Sequence, residues 1–196
     1  MTQRHVASTV ELPDVGQHLI AVLSDTHGRP HPALFPLLRK HRPQLILHAG
    51  DVGEIELIEE LEKITTTVYI RGNVDPTGPL WPDTCSLRIG FGSGKKLDLL
   101  LIHFAVTQVR LTRDALNLLH QHPAQIVIFG HSHLPFLGTE GKVCLFNPGS
   151  AGPPRWGLPT TLGLIQNTAD RLTFRHLDLR TGEKWRPDQN HQGDAR

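Results

Sequence analysis

Apolar runs alternate with helix-like segments through the first half of the chain. The runs LIAVLS, QLILHA and TTVYIRG begin at residues 19, 44 and 66, and two amphipathic segments, 31–41 and 54–64, separate them. This order predicts strand-helix-strand units with parallel neighbours, because parallel strands need a crossover connection. LIAVLS and QLILHA are apolar throughout, which is typical of strands buried on both faces. The first half therefore predicts an α/β sheet.

The second half is richer in hairpins. Apolar strands at 85–90 and 97–104 flank the glycine-rich turn FGSGKK, and an amphipathic helix at 112–122 precedes a further apolar strand at 125–130. Two more hairpins follow, with turns at Glu140-Gly141 and near residues 168–170. The pattern predicts an α/β fold in which two sheets, one largely parallel and one richer in antiparallel pairs, pack as a β-sandwich flanked by helices.

The expected domain organisation is simple. Residues 1–18 form an N-terminal segment, 19–180 a single domain, and 181–196 a polar, flexible tail that lacks periodicity. Cys85 and Cys144 show no C-x-x-C spacing, which favours a reducing compartment over a disulfide framework. No apolar run approaches the roughly 18 residues of a membrane span, and the first residues lack an apolar signal region. We expect a cytoplasmic protein without membrane association.

Charge and composition narrow the class of ligand. The chain has twenty Lys and Arg residues and nineteen Asp and Glu residues, which gives a formal net charge of +1. Without a basic stripe, a dedicated nucleic-acid surface is not expected, but a small phosphate-bearing substrate is compatible. The compositional excess is histidine, with thirteen residues against one Tyr and one Met.

Polar residues follow the predicted strands at the point where each strand ends. Asp25-x-His27, taken alone, is more typical of a turn than of a metal site. In an open α/β sheet, however, the loops at the carboxyl ends of the strands share one edge, so residues far apart in sequence can converge there. The residues placed at such ends are Asp25, His27, Asp51, Asn73, Asp75, His103, His131 and His133.

The chemistry of these residues indicates a divalent metal centre. Without Asp75 they comprise two aspartates, one asparagine and four histidines, an oxygen and nitrogen ligand set that suits borderline divalent ions. Seven ligands are too many for one four-coordinate ion, but two ions sharing a bridging carboxylate would use them, with Asp51 as the bridge. Glycines precede Asp51, Asn73 and His131, as expected where backbone must approach a site closely.

These blocks resemble the calcineurin-like metallophosphoesterases from about Leu19 to Arg155. Asn147-Pro148-Gly149-Ser150, with the following Pro154-Arg155, resembles the small, single-domain phosphodiesterase branch of this superfamily. The resemblance implies a four-layer αββα sandwich. It also implies that one ion binds Asp25, His27, Asp51 and His133, and that a second ion binds Asp51, Asn73, His103 and His131.

The activity implied is dimetal-dependent hydrolysis of small phosphodiesters by a metal-bridging hydroxide. Manganese is favoured, with iron, zinc, nickel or cobalt as alternatives. Asp51, Asn73, His103 and His131 are expected to be catalytic, and Asn73 and Arg155 to contact the substrate. Related small phosphodiesterases often self-associate, so a homodimer or homotetramer is expected.

Three positions qualify this expectation. Val74 stands where many phosphatases of the superfamily have a histidine thought to protonate the leaving group, and this favours diesters, activated substrates or slow turnover. Phe104 stands where the family often has glycine, and Asp75 is expected to support the site rather than bind metal.

A non-catalytic interaction scaffold on the same fold, as in a retromer subunit, is the alternative function, although the full ligand set argues against it. A nuclease would fit the chemistry but not the charge.

Overall fold

The computed structural model describes residues 4–108, 110–155, 157–168 and 171–186. Within these ranges the three helices are α1 (Leu34–His41), α2 (Ile55–Glu62) and α3 (Arg113–Gln121). The strands are β1 (His5–Leu12), β2 (Gln17–Leu23), β3 (Leu45–His48), β4 (Thr67–Tyr69), β5 (Thr84–Phe91), β6 (Lys96–Ile102), β7 (Val106–Thr107), β8 (Arg110–Leu111), β9 (Ile126–Ile128), β10 (Phe136–Glu140), β11 (Val143–Asn147), β12 (Thr161–Thr168) and β13 (Leu172–Asp178).

Two mixed sheets form the centre of the domain. The five-stranded sheet has the order β13-β12-β2-β3-β4, and the six-stranded sheet has the order β1-β5-β6-β9-β11-β10. Strands β2, β3 and β4 are parallel, as predicted, but β12 runs antiparallel to β2. The expectation of one largely parallel and one more antiparallel sheet is therefore wrong. The C-terminal hairpin β12–β13 returns to the first sheet instead of extending the second.

The layers follow from three apolar clusters. The largest lies between the sheets and contains residues such as Val22, Leu47, Leu99 and Phe146. A second cluster packs α1 and α2 on the outer face of the five-stranded sheet, and a third packs α3 on the outer face of the six-stranded sheet. Since each sheet buries both faces, the predicted αββα sandwich is confirmed.

Local sequence explains where the helices begin and end. The Thr112 side chain accepts a hydrogen bond from the Ala115 N–H at 3.3 Å and caps the start of α3. At its C-terminal end, α1 stops at His41, and the left-handed conformation of the next residue, Arg42, lets its N–H donate to the Leu38 carbonyl. The described helices span at most nine residues, and none is long and apolar enough to cross a membrane.

Strand β1 was not predicted from the sequence. It pairs in parallel with β5, from His5 opposite Thr84 to Leu12 opposite Phe91, so the six-stranded sheet begins before the expected domain boundary at residue 19. As an edge strand, β1 has mostly half-buried or exposed side chains, and its apolar signal is weak.

The predicted tail is partly ordered against the domain. The Trp185 N–H donates a hydrogen bond to the His176 carbonyl at 2.8 Å. Residues 187–196 of the predicted tail lie outside the described residues.

Candidate metal centre

The expected ligands all lie at one end of the sandwich. Loops after β2, β3 and β4 carry the aspartates, the asparagine and one histidine, and loops after β6 and β9 carry the other three histidines. The two sheets therefore both contribute to the site. The residues placed there are Asp25, His27, Asp51, Asn73, Asp75, His103, His131 and His133.

Three residues form the first donor group. The Nε2 atoms of His27 and His133 are 3.2 Å apart, and His133 Nε2 is 3.3 Å from Asp25 Oδ1. One ligand atom from each of these residues lies within 4.8 Å of the others. Two imidazoles and a carboxylate at this separation are suited to holding one divalent ion.

Asp51 lies between this group and the next. Its Oδ2 atom is 3.7 Å from His27 Nε2, and its Oδ1 atom is 3.5 Å from His103 Nε2. Asp25, Asp51 and His103 also form a donor group within 4.8 Å, so Asp25 belongs to both groups in this structure. The two Asp51 oxygens thus face histidines from the two expected ligand sets.

Asn73 and His131 extend the second group towards solvent. Asn73 Oδ1 is 3.1 Å from His131 Nδ1. The His131 ring lies edge-on to the His103 ring, with centroids 5.4 Å apart. This pair is exposed, whereas Asp25, Asp51, His103 and His133 are buried. The site is therefore open on the side where Asn73 and His131 lie.

Backbone conformation marks the same residues. Five of the expected ligands adopt positive φ angles between 50° and 66°, a region that costs a non-glycine residue about 1–3 kcal/mol. Strain of this kind persists only where the surroundings impose it, and it clusters at functional sites. The five residues are Asp25, His27, Asp51, His131 and His133.

Glycines allow these loops to approach one another. Gly50 has φ +93°, and a Cβ there would lie 2.6 Å from His103 Nδ1 and 2.9 Å from the Arg71 carbonyl. At Gly72, a Cβ would lie 2.9 Å from the Asp51 carboxyl carbon. Any larger residue at either position would therefore displace His103 or Asp51.

Asp75 holds two loops together without facing the donor groups. Its carboxylate accepts hydrogen bonds from the Val52, Gly53 and Gly72 N–H groups at 3.0, 2.7 and 2.7 Å. These N–H groups flank Asp51 and Asn73 in sequence. This arrangement agrees with the supporting role expected for Asp75.

Two other supporting residues, Asn147 and Ser150, were not assigned this role from the sequence. The Ser150 hydroxyl donates to the Asp25 carbonyl at 2.9 Å, and the Asn147 side chain donates to the Gly130 carbonyl at 2.8 Å. The fully buried His48 ring lies 2.9 Å from the Thr26 hydroxyl, between the two ligands of the first loop. The Asn147-Pro148-Gly149-Ser150 motif could have indicated these two residues, but their hydrogen-bond partners are visible only in the tertiary structure.

Burial and charge set the protonation of the carboxylates. Burial raises the pKa of Asp25 to about 6. Burial also raises the pKa of Asp51, but the adjacent His103 ring and the hydrogen bond from the Val74 N–H outweigh it, so the pKa lies below its usual range. Both carboxylates are therefore mainly ionised at neutral pH, as metal binding requires.

The histidines differ in protonation. Burial, together with the charges of Arg155 and His27, lowers the pKa of His133 to about 4. Burial also lowers the pKa of His27 and of His131. For His103, burial lowers the pKa but the two aspartates outweigh it and raise it. His103 Nδ1 donates to the Ala49 carbonyl at 2.8 Å, which leaves Nε2 to face the site.

The donors fit divalent ions. Asp25 Oδ1 and His103 Nε2 are buried and have no hydrogen-bond partner among the described residues. Such atoms are costly to leave unpaired, and divalent cations bound by the two donor groups would satisfy them. The oxygen and nitrogen set lacks thiolates, which suits borderline divalent metals.

Three further residues border the open side. The Arg155 guanidinium lies 3.3 Å from His27 Nε2. Phe104 is 48 % exposed, and its ring centroid is 4.8 Å from that of His131. The Val74 N–H donates to Asp51 Oδ1 at 3.0 Å while its side chain is exposed.

The fold and the site together define a class of protein. Its members are αββα sandwiches that carry Asp and His donor groups for divalent metal ions at the ends of their strands. Residues 19–170 match the calcineurin-like phosphoesterase superfamily domain. The chain belongs to this superfamily, as the sequence motifs indicated. Membership supports hydrolysis of phosphoesters with divalent metal ions.

Curated relatives agree with this assignment. A probable metallophosphoesterase of Methanothermobacter thermautotrophicus is 32 % identical over 179 residues, covering 84 % of this chain and 93 % of the relative. The phosphodiesterase YfcE of Escherichia coli is 34 % identical over 143 residues, covering 65 % of this chain and 67 % of the relative.

Solved structures share the fold. Vps29 of Cryptosporidium parvum superposes with a TM-score of 0.69 at 18 % identity, covering 86 % of this chain and 95 % of that one. YfcE of Escherichia coli superposes with a TM-score of 0.60 at 21 % identity, covering 86 % and 97 %. Zinc-bound Vps29 of Entamoeba histolytica has a TM-score of 0.66 at 24 % identity, covering 85 % and 96 %.

Proposed function

We propose that this protein is a dimetal phosphodiesterase that hydrolyses small phosphodiesters. One ion would be held by Asp25, His27, Asp51 and His133. The second would be held by Asp51, Asn73, His103 and His131. Manganese is the favoured ion, with iron, zinc, nickel or cobalt as alternatives, because the oxygen and nitrogen donors suit all of these metals.

The observation that carries this proposal is the position of Asp51. Its two carboxylate oxygens face His27 on one side, at 3.7 Å, and His103 on the other, at 3.5 Å. A carboxylate placed in this way is suited to bridging two cations, whereas a single-ion site would need only one oxygen. The low pKa of Asp51 keeps the bridge ionised.

When bound, the two ions would polarise the phosphoryl group and lower the pKa of water to about 7, which provides a nucleophile at neutral pH. The chain's own residues would position the substrate. The Asn73 side chain lies on the open side beside His131, where it can bind a phosphoryl oxygen. Arg155, 3.3 Å from His27, brings a positive charge that opposes the charge developing on the equatorial oxygens.

The leaving group would receive little acid assistance from the loop after β4. Val74 has no proton to donate from its side chain. An ester with a good leaving group would therefore react faster than an alkyl ester. This absence at Val74 and the similarity to the phosphodiesterase YfcE favour diesters over monoesters.

A substrate pair tests the proposal. Protein loaded with manganese, or in turn with the other candidate metals, should hydrolyse bis(p-nitrophenyl) phosphate faster than p-nitrophenyl phosphate. Asp51→Asn should abolish turnover while leaving the far-ultraviolet circular dichroism unchanged. The matched control is Asp98→Asn, the same change at a β6 residue that forms a surface ion pair with Arg88 of β5. Absence of turnover with every metal would contradict the proposal.

The Vps29 structures keep a scaffold function as the second candidate. Metal stoichiometry and melting temperature separate the two, since a ligand of the folded state stabilises it by mass action. The enzyme is supported by turnover, by two bound ions per chain and by a melting temperature that falls when a chelator is added. No bound ion and an unchanged melting temperature support the scaffold.

The cysteines support a cytoplasmic location for this enzyme. Cys85 is buried and Cys144 is half-buried, and both thiols are free. Unpaired thiols are typical of proteins that work in a reducing compartment.

A further inference from the structure

A pocket adjoins the metal centre on its open side. It has a volume of about 230 Å³. Asn73 and His103, both expected ligands of the second ion, form part of its wall, and Phe104 forms another part. A phosphoester held at the second ion would therefore have one of its ester groups next to this pocket.

Phe104 gives the pocket an aromatic surface. Its ring is 48 % exposed and lies against the catalytic candidate His131, with centroids 4.8 Å apart and planes inclined at 65°. Because the His131 ring holds it from one side, the exposed part of the ring is presented in a defined orientation. An exposed aromatic ring beside a metal centre offers a stacking surface to a second aromatic group.

The charges around the pocket restrict what enters it. Arg71 NH1 donates to Asp83 Oδ1 at 2.6 Å, and the other Asp83 oxygen accepts the Arg4 N–H at 2.6 Å. This ion pair therefore contributes no net charge to the pocket. Asp114, in the first turn of α3, adds an exposed carboxylate. Apart from the proposed ions and their ligands, the side chains lining the pocket therefore carry a net negative charge, which disfavours a further anionic group there.

We propose that this pocket binds an aromatic ester group that carries no negative charge, such as an aryl or nucleobase group of a phosphodiester, with Phe104 as the residue that determines this preference. The inference rests on the proposed function for the position of the phosphoryl group. It extends that function by naming the class of substrate that the site prefers.

Binding measurements test the pocket independently of turnover. Calorimetry on metal-loaded protein would compare diphenyl phosphate with inorganic phosphate, which reports on the ions alone. Phe104→Ala should weaken diphenyl phosphate binding by about threefold to tenfold, the range expected for one aromatic contact. Binding of inorganic phosphate should be unchanged. Phe104→Tyr should restore the wild-type affinity, and Leu137→Ala, a change at another half-exposed apolar residue, should alter neither ligand.

A second variant tests the charge. For 4-carboxyphenyl phenyl phosphate, Asp114→Asn should strengthen binding by up to about fivefold, the range of an exposed charge interaction. Equal losses for diphenyl phosphate and inorganic phosphate in Phe104→Ala, or no loss for either, would overturn the inference. Turnover of bis(p-nitrophenyl) phosphate reports separately on the proposed function. An active enzyme with unchanged diphenyl phosphate affinity in Phe104→Ala refutes only the pocket.

Discussion

Asp75 offers a sharp test of how the metal loops are held. Its buried carboxylate accepts three backbone hydrogen bonds. Oδ2 accepts from Val52 and Gly72, and Oδ1 accepts from Gly53. In Asp75→Asn, the single remaining oxygen can keep the two Oδ2 bonds, but the new NH₂ group would face the Gly53 N–H.

The expected cost follows from these bonds. One hydrogen bond to a charged group contributes about 1.5–3 kcal/mol, and the two retained bonds weaken because their acceptor loses its charge. Asp75→Asn should therefore lower the free energy of unfolding by about 2–4 kcal/mol. Asp75→Ala leaves all three N–H groups without their acceptor and should cost about 3–6 kcal/mol.

Urea denaturation of the metal-free protein, followed by circular dichroism, measures these losses. Asp98→Asn is the matched control, because Asp98 pairs with Arg88 at the surface, where an ion pair contributes at most about 1 kcal/mol. Competition with a chelator should also show metal affinity reduced by about tenfold to a hundredfold in Asp75→Asn. If Asp75→Asn cost no more than Asp98→Asn, the structural role assigned to Asp75 would be refuted.

Two further predictions concern the same loops. Gly72→Ala places a Cβ 2.9 Å from the Asp51 carboxyl carbon, so metal affinity measured by chelator competition should fall at least about tenfold, whereas Gly78→Ala, with open space around its Cβ, should bind metal normally. Burial lowers the pKa of His48 from 6.5 to about 3, so the unfolded chain takes up a proton on His48 that the folded metal-free protein does not. The free energy of unfolding should be highest above about pH 6.5 and should fall towards acid pH, and His48→Gln, which can still donate to Thr26, should reduce that slope by up to about 1.4 kcal/mol per pH unit. If urea titrations between pH 7 and 4 gave the same pH dependence of the free energy of unfolding for both proteins, the lowered pKa of His48 would be contradicted.

The sequence predicted most helices and strands because their signals are local. The three amphipathic segments became α1, α2 and α3, and the apolar runs became the central strands of both sheets. These strands are covered on both faces, so nearly every residue in them is apolar and easily recognised. Edge strand β1 lacks that signal, since only part of its surface reaches the core.

Sheet pairing depended on contacts that no local pattern encodes. The hairpin β12–β13 was predicted, but its place beside β2 was not. That choice is made by the apolar residues between the sheets, where Ile165 of β12 joins Val22 and Leu47. The turn residues of a hairpin specify the register between its two strands, but they do not specify which other strand the hairpin pairs with.

For the site, the sequence by itself identified the candidate ligands, because their residue types and their positions at strand ends are both visible along the chain. Only the tertiary structure decided how Asp51 faces His27 and His103 at once. It also decided that Asp75 ties two loops together and that Asp114 of α3 borders a pocket beside Phe104. These relations join residues from separate elements, and their distances arise only when both sheets and their helices pack into one sandwich.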